Sequence, residues 1–216
     1  MAGYDYLEKA RFRLRVINTF IRLVARPVKR NWHYVEGYLR RRTSSPVSIE
    51  YDTRYNLLDL VIELPGSRPV RYIIYVSAQQ ARPLSPKQLV AKINRILSTY
   101  RKKTTPMDTA KYMICPGGYT SYAEKMLRAH KIIPARTDKQ VLENMAKYFK
   151  NRYTKLIDSI RGKRLFGKVA LLAYLLQQII KELGETITED PLEQYLNYYP
   201  SPLILAEQGA EIPAPH

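Results

Sequence analysis

PVSIEYDTRYNLLDLVIELPGSRPVRYIIYVSAQQ, residues 46–80, reads as three consecutive β-strands: Val47 to Tyr51, Leu57 to Leu64 and Val70 to Ala78. Pro65-Gly66-Ser67-Arg68-Pro69 between the last two is a turn sequence, because proline fixes φ and glycine supplies a positive φ. Period-2 alternation along the second strand sets Leu58, Leu60 and Ile62 on one face and Asp59 and Glu63 on the other. The third strand, VRYIIYVSA, is apolar or aromatic on both faces, as a central strand covered on both sides would be. Asp59 therefore stands as a carboxylate on a mostly apolar strand beside the sheet centre.

Working outward, an amphipathic helix is expected over residues 4–26, with Leu7, Phe12 or Leu14, Ile17, Phe20, Ile21 and Val24 along one side. Pro27 interrupts it, and a second helical piece, 31–42, ends in Arg40, Arg41 and Arg42. After the strands, Ser85-Pro86 is an N-cap followed by proline at the first helical position. The helix it opens runs to about Lys103, with Leu89, Val90, Ile93, Ile96 and Leu97 inward and Lys87, Lys92, Arg95, Arg101, Lys102 and Lys103 outward. Lys111 to Cys115 is a fourth strand, Thr120 or Ser121 caps a short helix to His130, and Lys131 to Ala135 is a fifth strand. This strand–helix–strand run is a βαβ unit with parallel strands. Thr137 or Asp138 starts a helix to about Arg161, and Leu165 to Leu183 forms one that is apolar nearly all round. Such a helix belongs in a core or a subunit interface. The fold class is thus α/β: a small mixed sheet of about five strands flanked by basic helices. The chain divides into a core over 1–161, the apolar helix over 162–184, and an acidic tail with prolines and tyrosines over 185–216.

The 216 residues carry 36 Lys+Arg against 19 Asp+Glu, a net charge of +17. An excess of this size points to a polyanionic partner, nucleic acid before an anionic membrane. The excess is uneven: 11 basic and 3 acidic residues in 1–48, 20 and 5 in 87–168, but four of each in 49–86 and 1 against 7 in 169–216. Phosphate contacts are expected from Arg40, Arg41 and Arg42, from Arg101, Lys102 and Lys103, and from Arg161, Lys163 and Arg164. Trp32, Tyr34 and Tyr38 interleave with the first of these clusters. A solvated helix face is the plainer reading of the same charges. Cys115 is the single cysteine, which excludes an internal disulfide and a cysteine zinc site. His33, His130 and His216 have no metal-ligand spacing. The absence of a signal-type start or a membrane-length apolar run predicts a soluble intracellular protein, cytoplasmic or virion-associated. The 18 tyrosines, many arginines and few Gln, Asn and Cys hint at a thermophilic source. Cys115-Pro116-Gly117-Gly118-Tyr119-Thr120-Ser121 has glycines between a strand and a helix, but no Gly-Lys-Ser/Thr, so a turn and cap is expected there.

The order helix, three strands, helix, strand, helix, strand resembles the core of the PD-(D/E)xK, restriction-endonuclease-like superfamily, which includes archaeal Holliday-junction resolvases. The resemblance covers roughly residues 4–161. It implies a Mg²⁺- or Mn²⁺-dependent site in which carboxylates hold the metal and a lysine assists the attacking water. Asp59 falls at the superfamily's aspartate, and Glu8 at its helix glutamate. The third strand departs: Tyr75-Val76-Ser77, or Ser77-Ala78-Gln79 two residues on, stands where Glu-x-Lys would be. Gln79 would replace the glutamate and Lys87 the lysine, with Glu63, Glu50 and Asp52 as further carboxylates. The alternative for Asp59 is an ion pair with Arg54 or Arg71. Three functions follow as expectations. The first is a nucleic-acid-binding protein, DNA favoured, with a degenerate cleavage site. The others are an active metal-dependent endonuclease or junction resolvase, and a structural protein packaging nucleic acid. The superfamily's resolvases imply a homodimer.

Overall fold

The computed structural model describes residues 2–30, 47–64, 68–79, 82–103, 107–160, 165–184 and 211–212. The expected helix at 31–42, with Arg40, Arg41 and Arg42, lies outside them, as do Arg161, Lys163, Arg164 and nearly all of the acidic tail.

The chain begins with α1 (Ala2–Phe20), which passes through a π-helical stretch (Ile21–Ala25) into α2 (Arg26–Arg30). Pro27 does not end the helix as its sequence suggests. Proline has no N–H to give to the carbonyl four residues back, and the wider π turn before it absorbs that lost bond. The strands β1 (Val47–Asp52), β2 (Leu57–Ile62) and β3 (Val70–Val76) follow. Then come α3 (Pro86–Arg101), β4 (Asp108–Ile114), α4 (Ser121–Ala129), β5 (Ile132–Ala135) and α5 (Asp138–Ile160). The two-residue strands β6 (Leu165–Phe166) and β7 (Glu211–Ile212) pair with each other, and α6 (Gly167–Glu182) lies between them in sequence.

The result is an α/β chain with a five-stranded mixed sheet in the order β1-β2-β3-β4-β5. β3 is antiparallel to β2, parallel to β4, and β4 is parallel to β5. Every residue of β2 and β3 is buried, so both faces of the sheet centre are covered. One face receives α3 and α4: Leu57, Ile73, Tyr75, Met113 and Ile132 from the strands meet Leu89, Ile93, Ile96, Ala123 and Leu127. Local chemistry starts both helices. The Ser85 N–H faces the Gln88 side-chain oxygen at 3.5 Å, and the Thr120 hydroxyl accepts from the Ala123 N–H at 3.2 Å.

Two compact units make up the chain, one of Met1–Ile21, Ser48–Ile62 and Arg68–Leu142, the other of Arg22–Val47, Glu63–Ser67 and Glu143–His216. The first holds the sheet with α3 and α4. In the second, α2 packs against α6, and an exposed Arg30 reaches Glu182 at 3.6 Å. Leu172, Ala173, Leu175, Leu176, Ile179 and Ile180 of α6 are buried within the single chain, as is Gln177. The apolarity of α6 is thus accounted for by burial in its own chain. Among the described residues no helix is long and apolar enough to cross a membrane.

Candidate nucleic-acid interface

The carboxylate singled out by the sequence is a structural ion pair. Asp59 stands opposite Ile73, which puts Arg71 diagonally across the β2–β3 pair on the same face. Arg71 Nε donates to Asp59 Oδ1 and Nη2 to Oδ2, both at 2.9 Å, a two-pronged pair with both partners almost wholly buried. The guanidinium continues to the end of α3: Nη1 donates to the Tyr100 carbonyl at 3.0 Å and Nη2 to the Thr99 carbonyl at 2.7 Å. These carbonyls lie in the last turn, at the negative end of the helix dipole, and that of Thr99 also accepts the Lys102 N–H at 3.2 Å. Lys103 adds a second cation, with Nζ 3.5 Å from Asp59 Oδ2 and 3.4 Å from Glu50 Oε1. Of the two partners the sequence left open for Asp59, the fold selects Arg71. Arg54 is exposed, and its backbone N–H instead donates to Asp52 Oδ1 at 2.9 Å.

Of the other residues of the expected metal site, Glu50 comes to Asp59 through their shared Lys103, whereas Gln79 and Lys87 do not. Arg71, Ile73 and Tyr75 are the side chains of β3 on its face, so neither Tyr75-Val76-Ser77 nor Ser77-Ala78-Gln79 brings a carboxylate alongside. Gln79 comes six residues after Ile73, about 20 Å of extended chain. Its side-chain NH₂ is held by the Arg82 carbonyl at 3.0 Å and the Pro83 carbonyl at 3.3 Å. Lys87 is exposed at the start of α3, twelve residues or about 18 Å of helix from Thr99. Glu8 and Glu63 are exposed, the latter just past the end of β2. As placed, with cations on both oxygens of Asp59, this set does not fit Mg²⁺ or Mn²⁺. Among the described residues no three His, Cys, Asp or Glu side chains group closely enough to hold a metal ion.

The opposite end of the same sheet face is built differently. The C-terminal ends of β3 and β4 lead into Ser77 and Cys115, and the Pro116-Gly117-Gly118 turn folds over them. Gly117 is required: a Cβ there would collide with the Arg82 carbonyl oxygen, while its N–H donates to the Gln79 carbonyl at 2.8 Å. Gly118 follows with φ +79°. The Tyr119 hydroxyl donates into the sheet, to the Met113 carbonyl at 2.6 Å with that of Ala135 at 3.1 Å. The segment is a turn and cap, as its sequence predicts. Burial pushes the Cys115 thiol up, against hydrogen bonding from Ser77 and the charge of Lys92, so Cys115 is a core thiol rather than an activated nucleophile.

Beside this turn, cations converge on tyrosines. Lys92 of α3 lies with Nζ 5.2 Å from the Tyr75 ring centroid, and Arg95, one turn on, has Cζ 4.4 Å from that of Tyr55. Arg13 of α1 acts electrostatically on Tyr51, Tyr75 and Lys92. Lys92 is half-buried, not outward as its charge suggested. The signal was in its spacing: 89, 92, 93 and 96 share one face of a helix, and a lysine stem lies along such a face readily. Burial foremost holds the Lys92 ammonium below the usual lysine range; Arg13 and Arg95 push the same way, and Cys115 opposes them. Farther along, Arg101 and Lys102 are exposed as expected, whereas Lys103 is occupied by Glu50 and Asp59. Tyr100 is exposed with Lys111 Nζ 4.9 Å over its ring.

No protein-family model, curated protein or solved structure matches this chain.

Proposed function

We propose that this chain binds nucleic acid, DNA in the first place, through the basic and aromatic surface of α3 and the β1–β2 turn. The observation that carries the reading is the pairing of cations with exposed rings, Arg95 on Tyr55 and Lys111 on Tyr100, in a chain of net charge +17. Cations bind phosphates, and flat rings accept bases without regard to sequence, so the combination favours affinity over sequence specificity. The arrangement of β1, β2 and β3 followed by α3, β4, α4 and β5 supports a restriction-endonuclease-like fold. The closed Asp59–Arg71 pair supports a version of it kept for binding rather than cleavage. A homodimer completes the reading.

The test is a native and a denaturing gel on the same samples of duplex, single-stranded and four-way-junction DNA, with Mn²⁺ present. A shift without cutting is expected. Affinity should fall steeply with salt, in proportion to the phosphates neutralised. Cutting that follows the protein through purification would make it an endonuclease instead, and long regular particles would make it a packaging protein. No shift at low salt would end the nucleic-acid reading. Sedimentation of the free chain reports the dimer.

A further inference from the structure

Arg13, Lys92 and Arg95 come from two different helices, yet their charges meet around Tyr75. Arg13 and Arg95 both act on the Tyr75 hydroxyl and on Lys92, and Lys92 lies against the Tyr75 ring. Three cations drawn together repel one another, and a folded chain holds them so only where something offsets the repulsion. No carboxylate does so here: among the described residues none of the three makes an ion pair with Asp or Glu. Asp52 acts electrostatically on Tyr51, a ring that Arg13 also acts on. Its Oδ1 already accepts the N–H groups of Arg54 and Tyr55 at 2.9 and 3.3 Å. Arg13 Nε, moreover, is a buried donor with no hydrogen-bond partner among the described residues. A buried donor of this kind calls for an acceptor from outside.

We propose that Arg13, Lys92 and Arg95 form a seat for one phosphoryl group, the terminal phosphate of a polynucleotide strand, with Tyr55 beside it as the surface for the adjoining base. The charge count selects a terminal group. An internal phosphodiester carries one negative charge, whereas a terminal phosphate carries close to two and presents three acceptor oxygens. Arginine and lysine donors from α1 and α3 would then surround it. Arg95 and Tyr55 are exposed, so the phosphate enters from the solvent side of α3, while half-buried Lys92 forms the floor. This proposal rests on the nucleic-acid reading for its ligand, but the seat itself rests on the three cations and the orphaned Arg13 donor.

The experiment measures binding of the full chain to a 3′-labelled single-stranded oligonucleotide bearing either a 5′-phosphate or a 5′-hydroxyl. Inorganic phosphate is tested separately by its effect on thermal unfolding. The wild type, Lys92→Gln, Arg95→Gln and Lys125→Gln are compared, the last removing one positive charge from α4, and circular dichroism checks that each is folded. The wild type is expected to prefer the phosphorylated end by roughly tenfold, the worth of one charge-assisted hydrogen bond. Lys92→Gln and Arg95→Gln should lose the preference but still bind the hydroxyl form, and Lys125→Gln should keep it. Equal binding of the two oligonucleotides would overturn the seat and leave general nucleic-acid binding standing. If neither oligonucleotide binds but phosphate raises the unfolding temperature of the wild type and not of Lys92→Gln, the seat survives and the nucleic-acid reading fails. Absence of any effect of oligonucleotide or phosphate would overturn both.

Discussion

The two ends of one sheet face handle charge in opposite ways. At the end where β3 begins, Arg71 and Lys103 meet Asp59 and Glu50, and the guanidinium also satisfies the last carbonyls of α3. Charge there is matched within the chain, and the cluster is a fastening. Where β3 ends, Arg13, Lys92 and Arg95 gather with tyrosines, and among the described residues no carboxylate pairs with them. Charge that a protein neutralises internally serves its fold; charge it gathers without a partner costs stability and is kept for a ligand. The difference also shows why a lone aspartate on a strand is a poor guide to catalysis: its role depends on what lies diagonally across from it.

The sharpest way to break this contrast is at Asp59. Asp59→Ala leaves Arg71 buried without its counter-charge and should cost about 3–5 kcal/mol in urea unfolding. Lys103→Gln should cost under about 1 kcal/mol, because Lys103 is partly exposed and solvent screens its pair. Comparable losses from the two would mean that the Asp59–Arg71 pair is not the fastening. A metal-site aspartate would behave differently, since its replacement removes activity and leaves the fold standing.

Gly117→Ala comes next. Its methyl would press on the Arg82 carbonyl, with an expected loss of about 1–3 kcal/mol in the same assay. Lys92→Met should go the other way, raising stability by about 0.5–2 kcal/mol as half-buried like charge is removed, while binding to phosphorylated DNA weakens. A variant that loses both stability and binding would show that Lys92 is only part of the packing. A further effect is alkaline. Burial pushes the Tyr112 hydroxyl up to about 12, and Tyr119 is raised as well. The folded chain therefore holds these protons where the unfolded chain releases them. Stability is intact below about pH 10, the ordinary tyrosine value, and is lost as pH rises toward about 12. Tyrosinate absorbance followed together with circular dichroism should show ionisation of these rings accompanying unfolding; ionisation with the fold intact would contradict their burial.

The fold was legible where its signals are local. Alternation and turn residues located β1 to β3, Ser85-Pro86 and Thr120 marked their helices, and the short links forced the parallel pairing. What the sequence did not reveal was the partner of each charge. Arg54 is five residues from Asp59 in sequence and Arg71 is twelve, yet the fold chooses the farther one, and the choice belongs to the β2–β3 register, in which Ile62 meets Val70. Moving that register by two residues one way would set Arg71 directly opposite Asp59, and the other way would carry it out of reach. Lys92 was misread because a basic residue was placed outward on charge alone, although its spacing from Leu89 and Ile96 set it beside the apolar stripe. Glu8, Gln79 and Lys87 were brought to Asp59 by resemblance alone; Gln79 is held by the Arg82 and Pro83 carbonyls, and Lys87 stands at the far end of α3.

Lys92 and Thr99 are seven residues apart, two turns along the same helix and on nearly the same side of it. Arg71 therefore clamps one end of a rigid rod whose other end positions the cations around Tyr75. The electroneutral cluster acts at a distance as the bearing for the charged one, and the three cations are aimed before any phosphate arrives. Weakening the clamp without unfolding the chain, as Lys103→Gln should, is then expected to blur the aim of Lys92 and Arg95. Faster ligand release at an almost unchanged association rate would be its mark.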